Sequence, residues 1–225
     1  AFYMFNKYPA KIFPGDVGTL VIGAAIGLIG ILGSLEVVMA LAMLTHIFNS
    51  FYVLASVKGF KESHEIKIKD IWVDEKDLIH ASKEKKAPLT LPRLILAQGP
   101  LTEPELVKNF LALTIISGIF AIFSEIVRQW TIERGYQNFP FTITMIILCI
   151  LGYLYVGWKF KRVFGISIIM MLLCIIGLLL FYIIDQFIVT NPLNWLYSFA
   201  LAGGTLLIWY IITIHYFWQT LDKIQ

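Results

Sequence analysis

Apolar residues along this chain are gathered into six blocks of roughly 20, at 17–35, 37–57, 109–127, 139–158, 164–189 and 193–218. A run of that length, wound as helix, crosses a hydrocarbon core of about 30 Å. The pattern therefore predicts an all-α polytopic membrane protein of about six transmembrane helices. The one long polar segment, 58–108, separates the second block from the third. Within it, 65–73 (E-I-K-I-K-D-I-W-V) alternates apolar and polar residues as a half-buried strand does, and Asp74 to Lys76 supplies turn residues. A second short run ends at His80, so the loop is expected to hold a small β-hairpin. Pro88, Pro92, Pro100 and Pro104 punctuate the remainder of the loop and the residues leading into the third block, and 89–97 is apolar enough to lie along the membrane surface.

Composition agrees with the pattern and excludes a soluble domain. Of 225 residues, 58% are hydrophobic and 15% charged, against nearer a quarter charged in soluble domains, and the mean hydropathy is +0.77. The net charge of +3 is too small to argue for nucleic acid. Cys149 and Cys174 both lie inside apolar blocks, which leaves no disulfide framework or C-x-x-C metal site. Charge position says more than charge number. With the N-terminal loop in the cytoplasm, sixteen of the eighteen Lys and Arg fall on cytoplasmic segments, ten of them in 58–108, and only Arg128 and Arg134 face the other way. The positive-inside bias thus sets six spans and a cytoplasmic long loop.

Several polar or small residues fall within the blocks. Gly23-x-x-x-Gly27 in the first places small residues on one face, where a second helix can approach closely, so this helix is expected to pack inside a bundle. His46 and Asn49 stand one turn apart, either bordering a cleft or hydrogen bonding between helices. Glu125 and Asp185 fit snorkelling or interhelical pairing, and His215 reads as an interface residue.

The candidate chemistry lies at 6–19, N-K-Y-P-A-K-I-F-P-G-D-V-G-T, at the edge of the first span. A carboxylate there is costly unless solvated or coordinated. Asp16 suits a hard cation such as Mg²⁺, which takes one or two carboxylates plus substrate phosphates, and equally suits a helix N-cap bonded to the amides of Gly18 or Thr19. Gly15 and Gly18 would let the backbone turn tightly and a ligand come close. The chain opens on Ala1 with a polar, Pro-containing stretch, and reads as beginning in the middle of something.

The stretch N-x-Y-P-A-K-x-F-P-G-D-x-G-T resembles the F-x-G-D element of the polyprenyl-phosphate N-acetylhexosamine-1-phosphate transferases. In particular it is similar to the branch, with archaeal members, that transfers GlcNAc-1-phosphate from UDP-GlcNAc to dolichyl phosphate. The similarity covers about residues 6–134, the C-terminal part of that family's core: two spans, a cytoplasmic loop with an I-x-I-x-D strand and a K-K-A-P-L-T-L segment, and a closing span. It implies that Asp16 is catalytic and coordinates Mg²⁺, or Mn²⁺ in its place, and that Phe13 packs against the uracil, with Gly15 in the same substrate-binding turn. Lys11 would then lie near the phosphates, or simply snorkel. It further implies a first step of lipid-linked oligosaccharide assembly for N-glycosylation, on the cytoplasmic face of a cell membrane or of the endoplasmic reticulum. Residues 135–225 would be an appended three-helix membrane region, packed on the core or on another subunit as in a homodimer.

Two departures limit the carry-over. The family holds sugar phosphates with an Arg-His-Arg-like stretch in the long loop; here 62–65 reads E-S-H-E, so His64 matches and the arginines do not. His64 is otherwise an exposed loop histidine. Lys67 and Lys69 offer charge without the bidentate fork of Arg. The family's adjacent aspartates and N-x-x-N-x-x-D-G element have no counterpart here, so the chain is expected to be a partial enzyme whose partner is the family's N-terminal half. The competing readings are a non-catalytic remnant or accessory subunit of the same fold, and a transporter. The latter should show internal repeats and discontinuous helices with polar residues near the bilayer midplane, neither of which is visible in this sequence.

Overall fold

The computed structural model describes residues 2–57, 59, 65–84, 86–132 and 139–188, together with scattered positions between 204 and 222. Its elements in chain order are α1 (Tyr3–Asn6), α2 (Gly15–Leu32), α3 (Glu36–Ala42), α4 (Leu44–Val57), β1 (Ile71–Val73), β2 (Ile79–Ala81), α5 (Leu91–Leu96), α6 (Glu103–Ile132), α7 (Phe139–Lys159) and α8 (Lys161–Ile188). Helices α2, α6 and α7 are long and apolar enough to cross a membrane, and α3 with α4 makes a fourth span if the bent pair is counted as one. The predicted sixth span falls largely outside the described residues.

Each local boundary has a chemical cause. Helix α2 ends in a Schellman-type turn: Leu35 N donates to Gly30 O at 2.8 Å while Ser34 takes a positive φ of 51°. Helix α6 begins with the returning half of a capping box, in which Glu105 Oε2 accepts from both the amide (3.0 Å) and the hydroxyl (2.9 Å) of Thr102. Helix α5 begins on Thr90, whose hydroxyl accepts from Arg93 N at 3.2 Å, with Pro92 in the first turn.

The second apolar block, expected as one straight span, is broken at Met43, where α3 and α4 meet at 68°. No proline or glycine stands at the break. Tertiary bonds hold α4 in its direction instead: Thr45 and Ser117 of α6 share a buried hydroxyl contact at 2.8 Å, Asn49 Oδ1 accepts from Leu91 N at 3.0 Å, and Ser56 Oγ accepts from Leu89 N at 2.9 Å. Asn49 is thereby a structural acceptor, while His46 is exposed on the same helix.

Segment 89–97 also differs from expectation. Its apolar side chains are not left free to face lipid; α5 is the centre of the core, with Leu91 and Ile95 at 0% exposure, packed with Phe48 and Tyr52 of α4, Leu113 and Ile116 of α6, and Ile166 and Met170 of α8. Long α6 is the hub, touching α3, α4, α5, α7 and α8. At the elbow between α7 and α8, Arg162 Nη1 donates to Gly99 O and Gln98 Nε2 donates to Arg162 O, both at 2.8 Å. These reciprocal bonds fasten the elbow to the end of the polar loop, so two segments assigned by charge to the same side lie together.

Helix α2 is the exception to this packing. It meets α3, where a Cβ on Gly30 would come within 3.2 Å of Met39, but a Cβ on Gly23 or Gly27 would meet no other element within 4 Å among the described residues. The expected bundle contact through those two glycines is not made among them. Small-residue spacing states that a close partner is tolerated without specifying which one.

Candidate functional site

The turn at 13–16 is built by backbone constraints. Asn6 Nδ2 donates to Ile12 O (3.0 Å) and Lys11 N to Phe5 O (2.8 Å), closing residues 6–12 into a compact loop that delivers Phe13 to the start of α2. Gly15 has a φ of +57°, in the left-handed region that penalises any side chain. At Gly18 a Cβ would sit 2.8 Å from that of Pro14, so the helix can pass the proline only with glycine there. The two glycines flanking Asp16 thus serve its placement.

Asp16 lies in the first turn of α2, and Pro14 occupies the N-cap without a side-chain bond. The N-cap reading of Asp16 therefore fails: Gly18 N donates to Pro14 O at 3.1 Å, and the Thr19 hydroxyl donates to the carbonyls of Gly15 and Asp16. The Asp16 carboxylate is exposed and makes no hydrogen bond or ion pair among the described residues. Phe13 is 77% exposed and Lys11 is exposed. Lys11, Phe13, Gly15 and Asp16 consequently share one short solvent-facing turn, whereas His64 lies outside the described residues.

An unengaged carboxylate is what an incoming cation requires, but it is a single ligand. Among the described residues no group of three or more His, Cys, Asp or Glu could hold a metal. This donor set fits a cation that takes one carboxylate and completes its shell with phosphate oxygens and water, as Mg²⁺ does, and does not fit one that needs an all-protein cage.

The polar loop carries two further constellations. The hairpin pairs Ile71 with Ala81, Trp72 with His80 and Val73 with Ile79, as expected for its position, although its strands are three residues long. Asp74 organises the turn: Oδ1 accepts from the amides of Lys76 (2.8 Å) and Leu78 (2.9 Å), and Oδ2 contacts His80 Nε2 at 2.9 Å. The His80 ring stacks on the Trp72 indole, with centroids 4.4 Å apart and planes 11° from parallel. The His80 bond, and after it the Leu78 and Lys76 amides, hold the Asp74 carboxyl below the usual carboxylate range.

A lowered folded pKa has a definite sign. The Asp74 contribution is fully present above the ordinary value of about 3.9 and is lost as pH falls through the lowered one. Amide exchange at Lys76 and Leu78 should therefore stay protected down to about pH 4 and rise on further acidification. Asp74→Asn should abolish that dependence; unchanged acid sensitivity in the variant would remove Asp74 as its source.

The second constellation was not visible in the sequence. Arg93 on α5 is 1% exposed, and its guanidinium donates to four backbone carbonyls: Ser82 O (3.0 Å), Glu84 O (2.7 Å), Ala87 O (2.8 Å) and Pro88 O (3.3 Å). Burial pushes its pKa down while nearby Asp70 pushes it up. Asp70 in turn accepts from the Thr90 hydroxyl, tying the hairpin to α5. A lone Arg within an apolar run is the only sequence signal for this staple.

Residues 1–34 match the family model described as Glycosyl transferase family 4. A Methanocaldococcus jannaschii protein named as a glycosyltransferase is 34% identical over 121 residues, 53% of this chain and 38% of that protein. A Saccharolobus solfataricus protein named as a UDP-N-acetylglucosamine–dolichyl-phosphate N-acetylglucosaminephosphotransferase is 33% identical over 135 residues, 59% of this chain and 37% of that protein. The phospho-N-acetylmuramoyl-pentapeptide-transferase of Wolbachia sp. subsp. Brugia malayi is 33% identical over 122 residues, 54% of this chain and 33% of that protein. The chain thus spans about a third of the length of these curated relatives. No solved structure matches it.

Proposed function

We propose that this chain forms part of an integral membrane transferase that moves GlcNAc-1-phosphate from UDP-GlcNAc to a polyprenyl phosphate of the dolichyl type, beginning a lipid-linked oligosaccharide. The observation that carries the reading is the 13–16 turn. An aromatic ring and an unengaged carboxylate stand exposed at the start of a spanning helix, inside the stretch that matches the glycosyl transferase model.

In this reading an oxygen of the lipid phosphate attacks the β-phosphorus of the sugar nucleotide. A new P–O–P bond forms, the bond from that phosphorus to the bridging oxygen breaks, and UMP leaves with the electron pair. Both reactants are anionic, so positioning and positive charge carry most of the catalysis. Asp16 is the residue that would hold Mg²⁺, or Mn²⁺ in its place. Bound there, the ion offsets charge on the phosphates. Phe13 offers its face to the uracil ring and Lys11 a point charge to the phosphates, while His64 is the loop position matched to the sugar-phosphate site.

The turn and the long loop lie in the cytoplasm in this proposal, supported by the sixteen-to-two distribution of basic residues. Residues 1–134 form the core part and 135–225 the appended part. The family's N-terminal half supplies the missing metal ligand and base. Relatives named for two different N-acetylated sugar phosphates match at similar identity, so sugar-1-phosphate transfer to a lipid carrier rests on more support than the choice of GlcNAc.

The assay is formation of lipid-linked GlcNAc diphosphate from UDP-GlcNAc and polyprenyl phosphate in detergent or lipid. The purified 225-residue chain should be inactive, and activity should appear when the N-terminal half is supplied in one chain or by co-expression. Turnover by the isolated chain would mean that the catalytic groups have been misplaced. Silence after restoration would favour a non-catalytic remnant.

A further inference from the structure

Between the spanning helices lies a half-enclosed cavity of about 350 Å³ that the proposed transfer does not use. Its wall includes Leu41 of α3, Phe123 of α6, Ile150 and Leu154 of α7, and Met171 and Ile175 of α8. Three lining residues carry a hydrogen on oxygen or sulfur, and the two hydroxyls are already engaged. Ser124 Oγ donates to Ala121 O at 2.9 Å. Ser167 donates its own proton to Phe164 O (2.7 Å), so the Tyr153 hydroxyl, 3.4 Å away, is the donor to Ser167 Oγ. The third, the Cys149 thiol, is a weak polar group that behaves as a small hydrophobe. Among the described lining residues the hydroxyl protons are thus committed within the protein and the rest of the wall is hydrocarbon and thiol, and an apolar cavity of even about 150 Å³ stays dry and takes up hydrocarbon.

Depth narrows the occupant further. Cys149 stands ten residues from either end of α7 (Phe139–Lys159), about 15 Å at 1.5 Å per residue, which is the middle of a hydrocarbon core of about 30 Å. Any opening at that depth faces the bilayer laterally, and whatever enters arrives tail first. We infer that the cavity is a binding site for one aliphatic chain of a bilayer lipid, seated between α6 and the α7–α8 pair. Bilayer lipid is the abundant source of such chains at its mouth, and among the described lining residues there is no cation with which to select a phosphate-bearing carrier.

The test is native mass spectrometry of the full 225-residue chain extracted from membranes of defined phospholipid, with and without added polyprenyl phosphate, against Cys149→Phe, which fills the cavity. The wild-type chain should retain one lipid with the mass of the bilayer phospholipid in both preparations. Occupancy should fall about tenfold or more in Cys149→Phe with the melting temperature in detergent unchanged or higher. Cys149→Leu, a smaller filling that answers the question if the Phe variant does not fold, should fall in between. Equal retention in a folded variant, no retained lipid in the wild type, or retention of polyprenyl phosphate alone would each overturn the assignment.

Discussion

Asp16→Asn, introduced into the chain with the proposed N-terminal half supplied, is expected to lower lipid-linked GlcNAc diphosphate formation about a thousandfold, the scale of losing one group that stabilises charge in the transition state. Stability should hardly move. The carboxylate is exposed and bonds to nothing among the described residues, and the N-cap is Pro14, so no structural bond is lost. Asparagine keeps the shape and an oxygen but not the charge, which separates the proposed role as a cation ligand from simple space filling. Raising Mg²⁺ should recover part of the loss if the defect is in cation affinity. A variant within about tenfold of wild type at ordinary Mg²⁺ would return Asp16 to the role of a solvated helix-start residue.

Arg93→Met is expected to have the largest effect on stability, about 3–5 kcal/mol, with activity lost as a consequence of unfolding. Of the four carbonyls released, those of Ala87 and Pro88 make buried bonds and have no ready access to water, while those of Ser82 and Glu84 are partly exposed and can be rehydrated. The cost should therefore come mainly from the first pair. Arg93→Lys keeps the charge but cannot span four acceptors with one ammonium, so it should be intermediate. Proteolysis within 82–88 and thermal melting in detergent report the two consequences separately. A loss under about 1 kcal/mol would mean that the loop holds itself together without the guanidinium.

Where sequence and structure agree, a local chemical rule was sufficient. Hydrophobic block length locates α7 to within a residue, and the turn residues at 74–76 place the hairpin, because both depend on neighbours in sequence. The 13–16 turn was legible for the same reason: Gly15 and Gly18 are needed by the backbone next to them. The features that escaped are tertiary. An apolar run such as 89–97 looks the same whether it is destined for lipid or for a protein core; Arg93, which gathers carbonyls 5 to 11 positions away, and the bonds from Ser56 and Asn49, 33 and 42 positions away, decide the matter. Met43 offers no local reason for a break, since the reason lies in α5 and α6. Gly23 and Gly27 announce close packing, yet the partner is not among the described elements of this chain.

The bend at Met43 sets a depth. Helix α2, at 18 residues, climbs about 27 Å and can cross the hydrocarbon by itself. The return is shorter. With α3 along the bilayer normal, its seven residues descend about 10 Å, and the 14 residues of α4, tilted by 68°, add only about 8 Å more. In that orientation the end of α4, and α5 bolted to it through Asn49 and Ser56, stops about 9 Å short of the level at which α2 starts, and a span shortened in this way suits a locally thinner bilayer.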